Sequence, residues 1–211
     1  MTNNLHLTAI SRACCFQDKK LEPHLDKIES LFACIKLRDE ATAVHSVVMA
    51  HYSYKLAKIH AEENAILYYA GSLTHDVGKI AMIDTILKSD RCLSPEERRG
   101  LWGHVTSGAT LLKELDLPKT IIEIAQYHHE RFDGCGYVYG LKGYEIPLSG
   151  RITAVTDTYS ALVSDRPYQK ANHALDALEI MKRDAHLFDP NILESFIEII
   201  ETEQKYAGQV N

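Results

Sequence analysis

Apolar residues recur along this chain at three- and four-residue intervals, and no stretch alternates apolar with polar over a strand's length, so the pattern predicts helices throughout. From Leu21, the set Leu25, Ile28, Leu31, Phe32, Ile35 and Leu37 follows a helical period to Arg38. A second helix, capped at or near Thr42, carries Val44, Val47, Val48, Leu56 and Ile59 towards Ala61. A third is expected over 62–80, with Ala65, Ile66, Leu67, Tyr69, Ala70 and Leu73 inward until Gly78 loosens the backbone. Ser94-Pro95-Glu96-Glu97 reads as a helix start, with Ser94 as cap, Pro95 in first position and Glu97 closing a capping box. That helix is striped by Leu101, Val105, Leu111, Leu112 and Leu115 and closes at Asp116-Leu117-Pro118; a shorter one follows over 119–130. Residues 131–143 hold Gly134, Gly136, Gly140 and Gly143 with Tyr137 and Tyr139, too many glycines for a helix and the makings of a lid or rim. Helical order resumes over 147–164, 174–183 and 192–206. The reading is an all-α bundle of about seven or eight helices, without repeats. Residues 1–40 are expected to form an N-terminal helical arm or extension, and 41–211 the domain that carries the chemistry.

Charge and composition narrow the function. A formal charge of -6, with no lysine or arginine run, argues against binding duplex nucleic acid, so any phosphate recognition should be local. The five cysteines are odd in number and form no CxxC pair, which fits a reducing, cytoplasmic compartment. No leader-like segment and no run of roughly eighteen apolar residues is present, so neither export nor membrane spanning is expected. The eleven histidines stand out, because imidazole is the commonest nitrogen ligand of first-row transition metals.

Their distribution centres on His75-Asp76-Val77-Gly78-Lys79. His75 offers an imidazole nitrogen, while the Asp76 carboxylate can reach one ion or bridge two. His45 precedes this stretch; His104, the doublet His128-His129 and Asp157 follow it. One ion on His45, His75, Asp76 and Asp157 would have a mixed nitrogen and oxygen set suited to iron or manganese, and a second fits on Asp76, His104, His128 and His129. Two such cations activate water and clamp both sides of a phosphodiester under in-line attack. Neighbours on a regular helix point about 100° apart, so the doublet can serve one ion only if the helix end aims at it. Lys79 and Arg166 can neutralise phosphate oxygens, lysine as a point charge and arginine through its planar fork. Asp157 has an alternative use as the ion-pair partner of Arg151 or Arg166.

These residues carry a resemblance. His45, HDVGK, His104, the run His128-His129-Glu130-Arg131-Phe132-Asp133-Gly134-Cys135-Gly136-Tyr137, Asp157 and Ser164-Asp165-Arg166-Pro167-Tyr168 resemble the HD-GYP domain, a subgroup of the HD metal-dependent phosphohydrolases. The resemblance runs from about Thr42 to Tyr168. It implies an HD-domain helical bundle, a binuclear iron or manganese centre on the ligands above, and hydrolysis of cyclic di-GMP to linear pGpG, GMP or both. Asp76 and Lys79 would be catalytic, with Lys79, Arg166 and Tyr137 on the substrate. Signalling-protein partners would meet the Gly134–Tyr137 loop. Five positions depart from the family pattern: Val138 stands for proline, Ala41 for the acid of a third metal site, Val48 for a common arginine, Ile83 for a proline and Ser160 for a frequent aspartate. The expectation is a stand-alone phosphodiesterase. Two alternatives accompany it: a weak or inactive module that binds cyclic dinucleotide or partner proteins, and a hydrolase of another cyclic dinucleotide or nucleotide.

Overall fold

Apolar stripes on successive helices close over one another in the computed structural model, which describes residues 18–89, 91, 94–164 and 171–209. Among the described residues are nine α-helices and no strand: α1 (Leu25–Arg38), α2 (Glu40–His60), α3 (Ala65–Thr74), α4 (Asp84–Leu87), α5 (Pro95–Glu114), α6 (Lys119–Tyr127), α7 (Leu148–Val163), α8 (Ala174–Arg183) and α9 (Pro190–Gln209). The all-α expectation holds, and the one-turn α4 accounts for the count above eight. No helix among the described residues is long and apolar enough to cross a membrane.

Two apolar clusters make the core. One gathers Leu56, Tyr68, Ile124, Ile152, Val155, Tyr159, Leu178, Met181 and Phe196 from α2, α3, α6, α7, α8 and α9. The other gathers Ile28, Ile35, Ala43, Ile66, Leu67, Leu112, Ile121 and Ala125 from α1, α2, α3, α5 and α6. Helix α3 contributes to both and has Tyr69 as its one residue not buried, so it runs through the centre as a helix that is apolar nearly all round.

Several sequence expectations need correction. Asp39, not Thr42, caps α2: its backbone is extended, and its carboxylate accepts from the Thr42 backbone N–H and hydroxyl. Val44 and Ile59, read as inward, are 52% and 58% exposed, because α2 packs through Ala43, Met49, Ala50, Leu56 and Ala57 instead, and Leu37 lies in solvent because α1 packs through Ile28 and Ile35. The helix expected over 62–80 stops at Thr74, then tightens into a 3-10 turn at Val77–Ala81. Gly78 is the reason: a Cβ there would stand 2.0 Å from the His104 carbonyl oxygen and 2.8 Å from the Gly108 nitrogen, so only glycine lets this turn lie on α5. Helix α6 ends at Tyr127, leaving the histidine doublet just beyond it.

Candidate metal centre

Five elements aim seven donor side chains at a common point. His45 comes from α2, His75 and Asp76 from the break after α3, His104 from α5, the doublet from the end of α6, and Asp157 from α7. All are buried except His129, which is half-buried. Because His128 and His129 lie past the last helical turn, their rings come together, with centroids 4.0 Å apart, instead of diverging as helix neighbours would.

Four imidazoles have their Nδ1 side occupied. His75 donates to the Ser72 carbonyl at 2.7 Å, His104 to the Leu101 carbonyl, and His128 to the carbonyls of Ile124 and Ala125 at 3.1 and 3.0 Å. His45 donates to the Ser160 hydroxyl at 2.9 Å, and that hydroxyl donates to the Asp157 carbonyl at 3.0 Å. A carbonyl can only accept, so on His75, His104 and His128 Nδ1 carries the proton and Nε2 presents a lone pair inward; His45 Nε2 lies within hydrogen-bond distance of Asp157 Oδ1, at 3.1 Å. The Nε2 atoms of His75, His104 and His128, and Oδ1 of Asp76, are buried without a hydrogen-bond partner among the described residues. Buried acceptors left unmatched cost free energy, and a cation placed among several that face each other would satisfy them together. The donor set therefore fits divalent metal.

Distances divide the donors into two groups. His45, His75 and Asp76 offer atoms within 4.8 Å of one another, and so do His104, His128 and His129. Asp76 lies between the two: Oδ2 is 3.2 Å from His75 Nε2, while Oδ1 is 3.2 Å from His104 Nε2 and 3.9 Å from His128 Nε2. Asp157 also spans them, with Oδ1 3.1 Å from His45 Nε2 and Oδ2 3.7 Å from His129 Nδ1. Lys79 donates to Asp76 Oδ2 at 2.6 Å, so its ammonium holds the carboxylate in place.

Ionisation follows the same geometry. Burial pushes both aspartates up, but His75 and Lys79 around Asp76, and His45 and His129 around Asp157, carry each carboxyl well below its ordinary value. Burial lowers His45 and His129, and burial with neighbouring His75 takes His128 down to about 3. His75 is opposed by burial yet raised by Asp76 and Asp157. Two carboxylates held towards their anionic form thus face three imidazoles, His45, His128 and His129, held towards their neutral form, the charge state that metal ligation requires.

Loop 131–143 packs against this centre. Buried Glu130 accepts from the backbone N–H groups of Tyr139 and Leu141 at 2.8 and 2.9 Å, and the Tyr137 N–H donates to the His129 carbonyl at 3.2 Å. Gly136 permits the return: a Cβ there would lie 2.4 Å from the Arg131 nitrogen. Tyr137 stacks on His129, and burial together with Asp157 and Asp76 raises its hydroxyl pKa. Arg151 pairs with Asp189 and not with Asp157. Arg166 and its neighbours from 165 to 170 lie outside the described residues. Glu130 and Ser160 are structural partners to which the sequence reading gave no role. Their signals were a carboxylate directly after the doublet, and a hydroxyl three residues after Asp157 on the same helix.

An all-helical domain whose helices pool imidazoles and carboxylates in a buried centre is the class that fold and site define. A family model described as HD domain matches residues 29–192, and the chain belongs to that family. It is 32% identical over 213 aligned positions to a cyclic di-GMP phosphodiesterase of Thermotoga maritima, covering 94% of this chain and 58% of that protein. It is 33% identical over 182 positions to 3'3'-cGAMP-specific phosphodiesterase 2 of Vibrio cholerae, covering 84% of this chain and 35% of that one. Among solved structures, the HD domain of the L. monocytogenes phosphodiesterase PgpH in complex with cyclic-di-AMP matches with a TM-score of 0.62 and 21% identity, over 84% of this chain and 96% of that chain; this likeness bears on the fold alone. The chain spans about half the length of the curated relatives it matches.

Proposed function

We propose that this chain hydrolyses the phosphodiester bonds of cyclic di-GMP, to linear pGpG, GMP or both, on a centre of two divalent ions. The observation that carries the reading is the set of four buried acceptors on His75, Asp76, His104 and His128 that have no hydrogen-bond partner among the described residues. One ion would sit on His45, His75, Asp76 and Asp157, the other on Asp76, His104, His128 and His129. Iron or manganese suits such mixed nitrogen and oxygen donors. When bound, the ions supply an activated water at neutral pH and neutralise charge on the phosphodiester. Asp76 is the shared ligand, held in place by the Lys79 ammonium at 2.6 Å. Lys79 keeps part of its side chain exposed and so can also meet a non-bridging phosphate oxygen. Tyr137 walls the site, and Arg166 supplies a second phosphate-binding cation. Residues 41–211 form the hydrolytic domain; within the preceding extension, α1 packs against it through Ile28 and Ile35. A cytoplasmic location goes with this substrate class, and signalling proteins would dock at the Gly134–Tyr137 loop, where Cys135 is exposed.

Protein loaded with manganese or iron under reducing conditions should release linear dinucleotide or GMP from cyclic di-GMP, and Asp76→Ala should reduce the rate by at least about a hundredfold. Failure to form product at full metal occupancy would overturn the reading. The identity to a 3'3'-cGAMP-specific enzyme favours one second reading, hydrolysis of a mixed cyclic dinucleotide. Running both substrates side by side separates the two.

A further inference from the structure

His129 differs from the other four imidazoles of the centre. Those four are aimed by a hydrogen bond from Nδ1 to a carbonyl or to the Ser160 hydroxyl. Among the described residues, the His129 ring has no such acceptor; its Nδ1 faces Asp157 Oδ2 at 3.7 Å. What contacts it instead is a stack of rings. Tyr137 lies on His129 with centroids 4.6 Å apart and 29° between planes, and Trp102 lies on Tyr137 at 4.7 Å and 15°.

Trp102 belongs to α5, two residues before His104, so one helix supplies a ligand and also braces the ring stacked on another. Tyr137 is fixed along its backbone, where its N–H donates to the His129 carbonyl and Glu130 holds the next turn of the loop. Its ring still needs a second face to press against, and the indole provides it. Trp102 remains 37% exposed, which is unlike a tryptophan placed to fill the core. Near-parallel aromatic contacts add attraction beyond area burial and fix ring planes.

We propose that Trp102 is a positioning residue which, through Tyr137, sets the plane of the His129 imidazole and so does for this ligand what hydrogen bonds do for the others. The proposal rests on the metal-centre reading above. It also predicts which ion feels the loss: the one held with His104 and His128, not the one on His45 and His75.

Trp102 is the chain's single tryptophan, so its emission reports on the stack directly. Manganese binding, acrylamide quenching and thermal unfolding should be measured on wild type, Trp102→Leu, Trp102→Phe and Tyr137→Leu. Removing an orienting partner of a metal ligand weakens binding by about tenfold or more, so Trp102→Leu should lose about tenfold at one of two manganese sites and change the other by less than about twofold. Trp102→Phe, which keeps a ring in place, should recover binding to within about threefold of wild type. Tyr137→Leu should leave the indole emission redder and more easily quenched. A folded Trp102→Leu protein that binds both ions like wild type, or a folded Trp102→Phe protein no better than the leucine variant, would overturn the proposal. Quenching unchanged by Tyr137→Leu would do the same by denying the stack. Wild type that takes up no manganese, with the stack still reported by quenching, would instead overturn the metal-centre reading and this inference with it.

Discussion

Ser160 shows how much one hydroxyl can settle. It accepts the His45 Nδ1 proton and passes its own to the Asp157 carbonyl, so it fixes at once which His45 nitrogen faces the centre and how that ring is turned. Alanine there leaves the buried Nδ1–H without an acceptor and frees the ring to turn. Ser160→Ala is therefore expected to weaken manganese binding on the His45 side by about tenfold while leaving the fold intact, as read by metal titration beside circular dichroism. Unaltered affinity would show that packing alone holds the ring. The inward-facing side chains were legible in the sequence because His and Asp have few other reasons to appear at those intervals beside HDVGK. The groups that aim them were not. Ser72, Leu101, Ile124 and Ala125 act through backbone carbonyls, which every residue type carries, and Trp102 meets Tyr137 only after the chain has folded.

At the scale of elements, the start of α5 was read correctly because its signal is local. Ser94 accepts from the Glu97 N–H at 3.2 Å, Glu97 accepts in return from the Ser94 N–H at 2.8 Å, and Arg91 grips the same carboxylate. Arg91 and the Ser94 N–H hold the Glu97 pKa down to about 2 from 4.5. A depressed carboxyl stabilises the fold above its unfolded value and loses that contribution as the pH falls through the folded one. Glu97→Gln should therefore melt lower than wild type at pH 7, and the gap should close as the pH drops from 4.5 towards about 2. The effect is small because this carboxylate, though partly covered, stays in contact with solvent. A gap independent of pH would mean that the side chain acts by shape and not by charge. Helix α3, by contrast, was extended too far, since its apolar periodicity continues through Val77 and Ile80 while the break depends on a backbone approach to α5 that only the folded chain contains.

Over the whole molecule, α2, α3 and α6 are the shared walls of both apolar clusters, and the centre opens where α3 and α6 end. Four of the donors, His75, Asp76, His128 and His129, are thus carried at helix ends inside a packed bundle, with α2, α5 and α7 bringing His45, His104 and Asp157 to meet them. The helical class followed from periodicity alone, but this convergence did not, because it depends on crossings between helices remote in sequence. Anomalous diffraction at the manganese edge, from crystals of manganese-loaded protein, tests it most directly. The expected map has two peaks on opposite sides of the Asp76 carboxylate, one against His45 and His75 and one against His104, His128 and His129. A single peak, or none among these side chains, would contradict the shared centre.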